Sequence, residues 1–173
     1  MIKKFPLQIL NQRAVLNDKE VEGFSYFSWG GTSMVTIEID AAGTAGKVDY
    51  STGRREAIEA TVFHGPLTAD TNRFREKKIF DLRFAFVYDV TDSEYTHSKE
   101  GNKIFIKGMF KSRGDMDFKN GEKVEGSTVI SVLQYTIYDG HDKEIEKYDA
   151  FNNKDSVNGI DLTEEENNYL YSI

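Results

Sequence analysis

Glu38 and Glu59 are the carboxylates whose setting most invites chemistry. Each lies in a stretch of alternating apolar and polar residues, and two adjacent strands could bring them together as the acid and base of a glycosidase-like pair. In an acidic chain such coincidences are expected, and no further motif supports this one. His64, His97 and His141 lie far apart and fall near turn signals. No helix offers two of them at the spacing zinc sites use, so they are expected to be surface or turn residues. Arg113-Gly-Asp115 has the form of an adhesion tripeptide but reads as a polar loop. Asp115, Asp117, Glu122 and Glu125 could gather around a cation, yet they lack the ligand series of an EF-hand. The chain has no Cys, which excludes disulfides, thiolate metal sites and a Cys nucleophile. There is no Gly-x-Ser-x-Gly elbow and no phosphate loop ending in Gly-Lys-Ser/Thr. Gly43, Gly46 and Gly53 do not open an amphipathic helix of the dinucleotide-binding kind. Residue types and spacing therefore predict no catalytic residue, no metal site and no cofactor, and point away from an enzyme.

The elements that would have to position such groups are mostly strands. The clearest runs from Phe80 to Val90, where Phe80, Leu82, Phe84, Phe86, Tyr88 and Val90 share one face. That is long against the usual five or six residues or so. Phe24–Trp29 ends at the turn signal Gly30-Gly31. Ser33–Asp40 and Arg55–Phe63 alternate, with Val35, Ile37, Ile39, Ile58 and Val62 on apolar faces. Lys103–Lys111 is a further strand. Val129–Tyr138 is apolar or aromatic on both faces, Val129, Leu133, Tyr135 and Ile137 opposing Ile130 and Val132, so it should be central. Ala14–Val21 reads as a hairpin turning at Asn17-Asp18, and Lys143–Tyr148 should pair back after Asp139-Gly140. One true helix is expected from Pro66 through Lys78, and a single turn at Thr163, where Thr163 and Glu166 have capping-box spacing. Two long connections remain, near 41–53 and 113–127; such loops in a compact domain are commonly functional.

Length and composition agree with a single domain over residues 1–173. The absence of Cys favours a reducing compartment. Met1-Ile-Lys-Lys-Phe-Pro6 is not followed by a signal-peptide core, and no window is long and apolar enough to insert in a membrane. A net charge of −7 argues against nonspecific nucleic-acid binding, and the strand aromatics lack the basic groove a base-stacking platform needs. An acidic passage, in contrast, would let a polyanion through without holding it.

The order of parts in the second half carries a resemblance. Ile104-Phe-Ile-Lys-Gly-Met-Phe-Lys-Ser112, a polar loop, Glu125-Gly-Ser-Thr-Val-Ile-Ser131, Tyr135-Thr-Ile-Tyr-Asp-Gly140, Glu144-Ile-Glu146, Asp149 and the run Val157, Asn158, Gly159, Ile160, Asp161 follow one another. This series resembles the major tail tube proteins of contractile-tailed bacteriophages and phage-like R-type bacteriocins. The resemblance is clearest from Phe80 to Ile173, and looser before it.

The resemblance implies an antiparallel β-sandwich or barrel with one flanking α-helix. It implies a structural subunit whose hexameric rings stack into a hollow conduit for DNA delivery into the host cell. Ala42, Gly43, Gly46, Lys47, Asp49 and Tyr50 would belong to a loop that contacts neighbouring subunits and the next ring. Glu38, Asp40 and Glu59 would face an acidic lumen, while Val35, Ile37, Ile39, Ile58 and Val62 lie in the core. Implied partners are other copies of the chain, the tail sheath protein, a tape measure protein inside the tube, the baseplate hub and the tail terminator. DNA would be met only in transit, with no membrane insertion. The place would be the virion tail, assembled in the host bacterial cytoplasm. The tube protein of a type VI or extracellular contractile injection system is the nearest alternative. A β-sandwich module binding sugar or peptide is a more distant one, and a hydrolase more distant still.

Overall fold

Alternating β-branched and aromatic residues carry most of this chain into strands, and a computed structural model describes how they pair over residues 4–39, 47–65, 69–114, 116, 120–121 and 124–171. In chain order the elements are β1 (Lys4–Leu16), β2 (Lys19–Glu20), β3 (Phe24–Trp29), β4 (Met34–Ile39), β5 (Val48–Arg55), β6 (Glu59–His64), a short α1 (Ala69–Asn72) running into a 3-10 turn (Arg73–Arg75), β7 (Phe80–Asp92), β8 (His97–Arg113), β9 (Gly126–Tyr138), β10 (Glu144–Asp149), β11 (Lys154–Val157), β12 (Ile160–Asp161) and α2 (Glu164–Tyr171). The fold is mainly β, with antiparallel sheets and a helix at the C-terminal side, in line with the expected class.

One sheet runs β12-β11-β10-β9-β8-β7-β1-β2, and β9 also pairs β6, which pairs β3. The central place expected for Val129–Tyr138 follows from the lengths. β8 accompanies β9 along one edge, while the other edge is shared by β6 against Gly126–Ser131 and β10 against Gln134–Tyr138. The order β1-β7-β8-β9-β6-β3 curls back on itself. Phe24 and Phe27 of β3 meet Phe84 of β7 with ring centroids 5.4 and 4.6 Å apart, and the Gln12 amide of β1 donates to the Ser25 carbonyl at 2.7 Å. Inside this barrel lie Leu16, Ile58, Val62, Phe80, Leu82, Ile106, Ile130 and Tyr135. Each fully buried apolar side chain of this size contributes about 1.5–3 kcal/mol of transfer free energy.

Several expectations need correction. β9 does not keep one alternation. Lys107 pairs with Gln134 and Gly108 with Val132, so Leu133 is an extra residue, a β-bulge. Inward positions pass from Ile130 and Val132 to Tyr135 across it. Arg55–Phe63 is not one strand, since β5 ends at Arg55 and β6 begins at Glu59. Much of the expected loop 41–53 is strand, because Val48–Arg55 pairs with β4. Of the helix expected from Pro66 to Lys78, residues 66–68 lie outside the described residues, Ala69–Arg75 forms α1 and its 3-10 turn, and residues 76–78 are not helical. Its apolar positions are too sparse to bury a helix face; among the described residues Phe74 is the one that enters the core, edge-on to Phe80 at 5.4 Å. The longer helix is α2, where only one turn was expected. The Asp161 carboxylate accepts from the Thr163 N–H (2.9 Å) and hydroxyl (2.8 Å), and three Glu in the first turn suit the helix dipole.

Candidate functional site

β4 and β5 form a two-stranded sheet of their own and pair with no other strand among the described residues. The sequence makes this hairpin two-faced. Ile37 stands opposite Tyr50, and Val35 lies two residues before Ile37 on the same face; all three are exposed, Ile37 by 51% and Tyr50 by 58%. The other face carries Thr36, Glu38, Asp49 and Ser51, with Lys47 reaching Glu38 at 2.7 Å. An isolated two-stranded hairpin is at best marginally stable in water. Val35 and Ile37, expected in the core, instead form an apolar surface directed at solvent; Ile58 and Val62 are core residues as expected.

Arg55 ties the hairpin down at its root, and the Thr32 side chain on the other leg also bonds to Tyr135. Arg55, the last residue of β5, has only 3% of its side chain exposed. Its Nε and Nη2 donate to the two carboxylate oxygens of Asp155 on β11, each at 2.5 Å, the fork-to-fork geometry that guanidinium and carboxylate share. Nη1 donates to Glu146 of β10 at 2.7 Å and also to the Tyr135 hydroxyl, which itself donates to Glu146. The rings of Tyr135 and Tyr148 flank the guanidinium, with centroids 5.8 and 5.3 Å from Cζ. Burial opposes the charge on Arg55, but the bonds to Asp155 and Glu146 outweigh it and push its pKa up. The Tyr135 hydroxyl is likewise pushed up, first by burial and then by its bond to Glu146. A guanidinium held by two carboxylates and flanked by two aromatic rings acts as a clamp.

The remaining site expectations fall as follows. Asp40, Ala42, Gly43 and Gly46 lie outside the described residues. Asp49 and Tyr50 are on β5 and Lys47 immediately precedes it, all exposed. Glu38 and Glu59 do not form a pair. Glu38 stands opposite Asp49 in the hairpin, while Glu59 stands opposite Ser131 in the barrel and is ion-paired with Lys111. Val157, Asn158, Gly159, Ile160 and Asp161 form the β11–β12 turn. Asn158 and Gly159 take φ of +52° and +82°, the left-handed pair a tight hairpin needs. His97 and His141 are exposed, but His64 is fully buried, its ring nitrogens bonded to the Gly65 carbonyl (2.9 Å) and the Thr128 hydroxyl (3.1 Å). Asp115, Asp117 and Glu122 lie outside the described residues, and no group of metal-ligating side chains occurs among the described ones. The Arg55 cluster was not anticipated. Its partners lie 80 to 100 residues after Arg55, and no local spacing announces them.

The described residues thus form a curled antiparallel sheet, a two-faced hairpin standing off it and a buried clamp at the hairpin's root. Residues 31–170 match the model of the phage tail tube protein FII family, and the chain belongs to that family. Among solved structures, a chain of the anti-feeding prophage cap (the AFP tube-terminating cap) is 17% identical, with a TM-score of 0.54, over 77% of this chain and 91% of that one. A chain of the sheath–tube complex of an extracellular contractile injection system, PVC, in the extended state is 14% identical, with a TM-score of 0.53 and the same coverage. A chain of the PVC sheath/tube terminator is 12% identical, with a TM-score of 0.54, over 77% of this chain and 96% of that one. These likenesses are of fold alone. No curated protein sequence gives a significant match.

Proposed function

We propose that copies of this chain close into hexameric rings and that the rings stack into the hollow tube of a contractile tail, through which DNA passes into the host cell. The observation that supports the reading is the β4–β5 hairpin, whose apolar ridge of Val35, Ile37 and Tyr50 is exposed among the described residues. A ridge of this kind on a soluble subunit is an interaction surface. A head-to-tail contact whose rotation closes makes a ring and uses up the free strand edges. The face bearing Glu38 and Asp49 is then directed to the lumen together with Asp40, and Glu59 belongs to the same wall. Lys47 and Lys111 balance part of that charge, so the lining is polar and less acidic than the carboxylates alone imply. The segment near 41–53, with Lys47, Asp49 and Tyr50, meets neighbouring subunits and the next ring. The sheath lies outside, a tape measure protein occupies the bore during assembly, and the baseplate hub and terminator close the ends. Assembly takes place in the bacterial cytoplasm, and the product is part of a virion tail.

The second reading is the tube of a type VI or extracellular contractile injection system, which passes proteins. It draws support from the solved structures of similar fold, which come from such assemblies. Neighbouring genes separate the two, capsid and terminase against effectors and an ATPase. Negative-stain electron microscopy of the purified protein at low and high concentration tests both readings against a binding module. Rings or tubes with a central hole are expected. A monomer at every concentration, which also fails to assemble on tail components, would overturn the tube.

A further inference from the structure

We propose that Arg55 is the positioning residue of the hairpin: by gripping Asp155 it fixes the direction in which β4–β5 leaves the body. The inference rests on the reading of the hairpin as the assembly element. It stands on the geometry of the neck beneath it. β3–β6 and β4–β5 are successive parts of one ribbon, and the ladder lapses between them, from the Trp29–Ala60 rung to the Met34–Arg55 rung. Two backbone bonds bridge this neck among the described residues, Gly30 N–H to the Glu59 carbonyl and Glu56 N–H to the Ser33 carbonyl, both 2.9 Å. One leg contains Gly30 and Gly31, the latter at φ +79°. Paired glycines in a two-bond neck permit bending, so the backbone alone does not hold the hairpin at one angle.

The Thr32 side chain bonds to Tyr135, and the Val132 N–H donates to the Ile58 carbonyl at 2.9 Å, so each leg meets the body; Arg55 supplies the constraint at the first rung of the hairpin itself. Its fork has a single in-plane approach to Asp155, and the flanking rings of Tyr135 and Tyr148 deny the guanidinium any other. Asp155 belongs to β11, held between β10 and β12, and not to the strands the hairpin continues. The hairpin's pose is therefore referred to the C-terminal strands. A ridge held ready in one orientation binds its neighbour more tightly than one that must be ordered on contact.

The chain has no Cys, so Asp49→Cys on the hairpin and Lys99→Cys on the body can be spin-labelled without interference. The distance distribution between them is measured in the native background and in two variants. Arg55→Lys keeps the charge and loses the fork. Arg55→Met with Asp155→Leu exchanges the ion pair for apolar contact, a change that often leaves stability intact. In both variants the distribution is expected to widen about twofold or more, with unchanged far-ultraviolet circular dichroism. Tube yield in the unlabelled variants should fall about tenfold or more through lost pre-organisation. A native-width distribution in the double variant would overturn the proposal, even if Arg55→Lys failed to fold. If the unlabelled native chain formed no tubes, the tube reading would fail, while the distances would still decide the role of Arg55.

Discussion

Ile37 and Tyr50 face each other across the β4–β5 ladder, and both present their side chains to solvent. Neither supports the barrel core. Ile37→Asp should therefore change the stability of the single chain by no more than about 0.5 kcal/mol, as for other surface substitutions. The same change places a charge on the ridge and should abolish tubes. Thermal melting and electron microscopy of one preparation check both halves, and tubes of normal length from Ile37→Asp would contradict the assignment of the ridge.

Gly30 allows a close approach that no other residue can make. A β-carbon there would lie 2.5 Å from the Glu59 carbonyl oxygen, a backbone atom, so the chain itself would have to shift. Gly30→Ala should cost about 1–3 kcal/mol in urea unfolding. Gly31→Ala meets no atom but must adopt φ +79°, and should cost about 1 kcal/mol. The order of the two losses is the point checked.

Asp155 and Glu146 both hold Arg55 but differ in exposure, with 6% and 26% of their side chains accessible. Asp155→Ala leaves a buried guanidinium short of its main partner and should cost about 3–5 kcal/mol. Glu146→Gln keeps an acceptor in a place water reaches and should cost about 1 kcal/mol. Denaturant melts of the two variants test the ranking.

Acid should loosen the C-terminal helix before it melts the barrel. The Thr163 backbone N–H and then its hydroxyl hold Asp161 below the usual carboxylate pKa. A folded-state value below the unfolded one of about 3.9 means that ionised Asp161 favours the fold above that pH. The contribution is lost as pH falls through the folded value. Amide signals of residues 163–167 followed from pH 6 to 2 should therefore shift below about pH 4. Asp161→Asn should flatten that response.

The alternation of Phe80–Val90 was legible because nothing interrupts it, and β7 buries Phe80, Leu82, Phe84 and Val90 as the pattern requires. The tail-tube resemblance was legible from the order of strands and turns in the second half, and the family match spans it. β5 was not legible. Asp49, Ser51, Thr52 and Gly53 read as loop, and they form a strand because β4 supplies the partner. The Leu133 bulge left no mark, since both faces of β9 are apolar. His64 was misplaced although a signal existed. It continues the inward series Ile58, Ala60, Val62, and parity alone places it in the interior. The Arg55 clamp is invisible at any local scale, because its partners come from β9, β10 and β11.

Asp155 lies 100 positions after Arg55, and this separation has a consequence for the order of synthesis. The ribosome releases the hairpin, with its apolar ridge, long before β9, Glu146 or Asp155 exists. Until residue 155 emerges, Arg55 has no carboxylate fork to grip, and the ridge cannot take its final bearing. The last strands thus act as a completeness check on the nascent chain. A polypeptide that stops short of them carries the adhesive element but cannot aim it, and is a poor competitor for a place in a growing polymer.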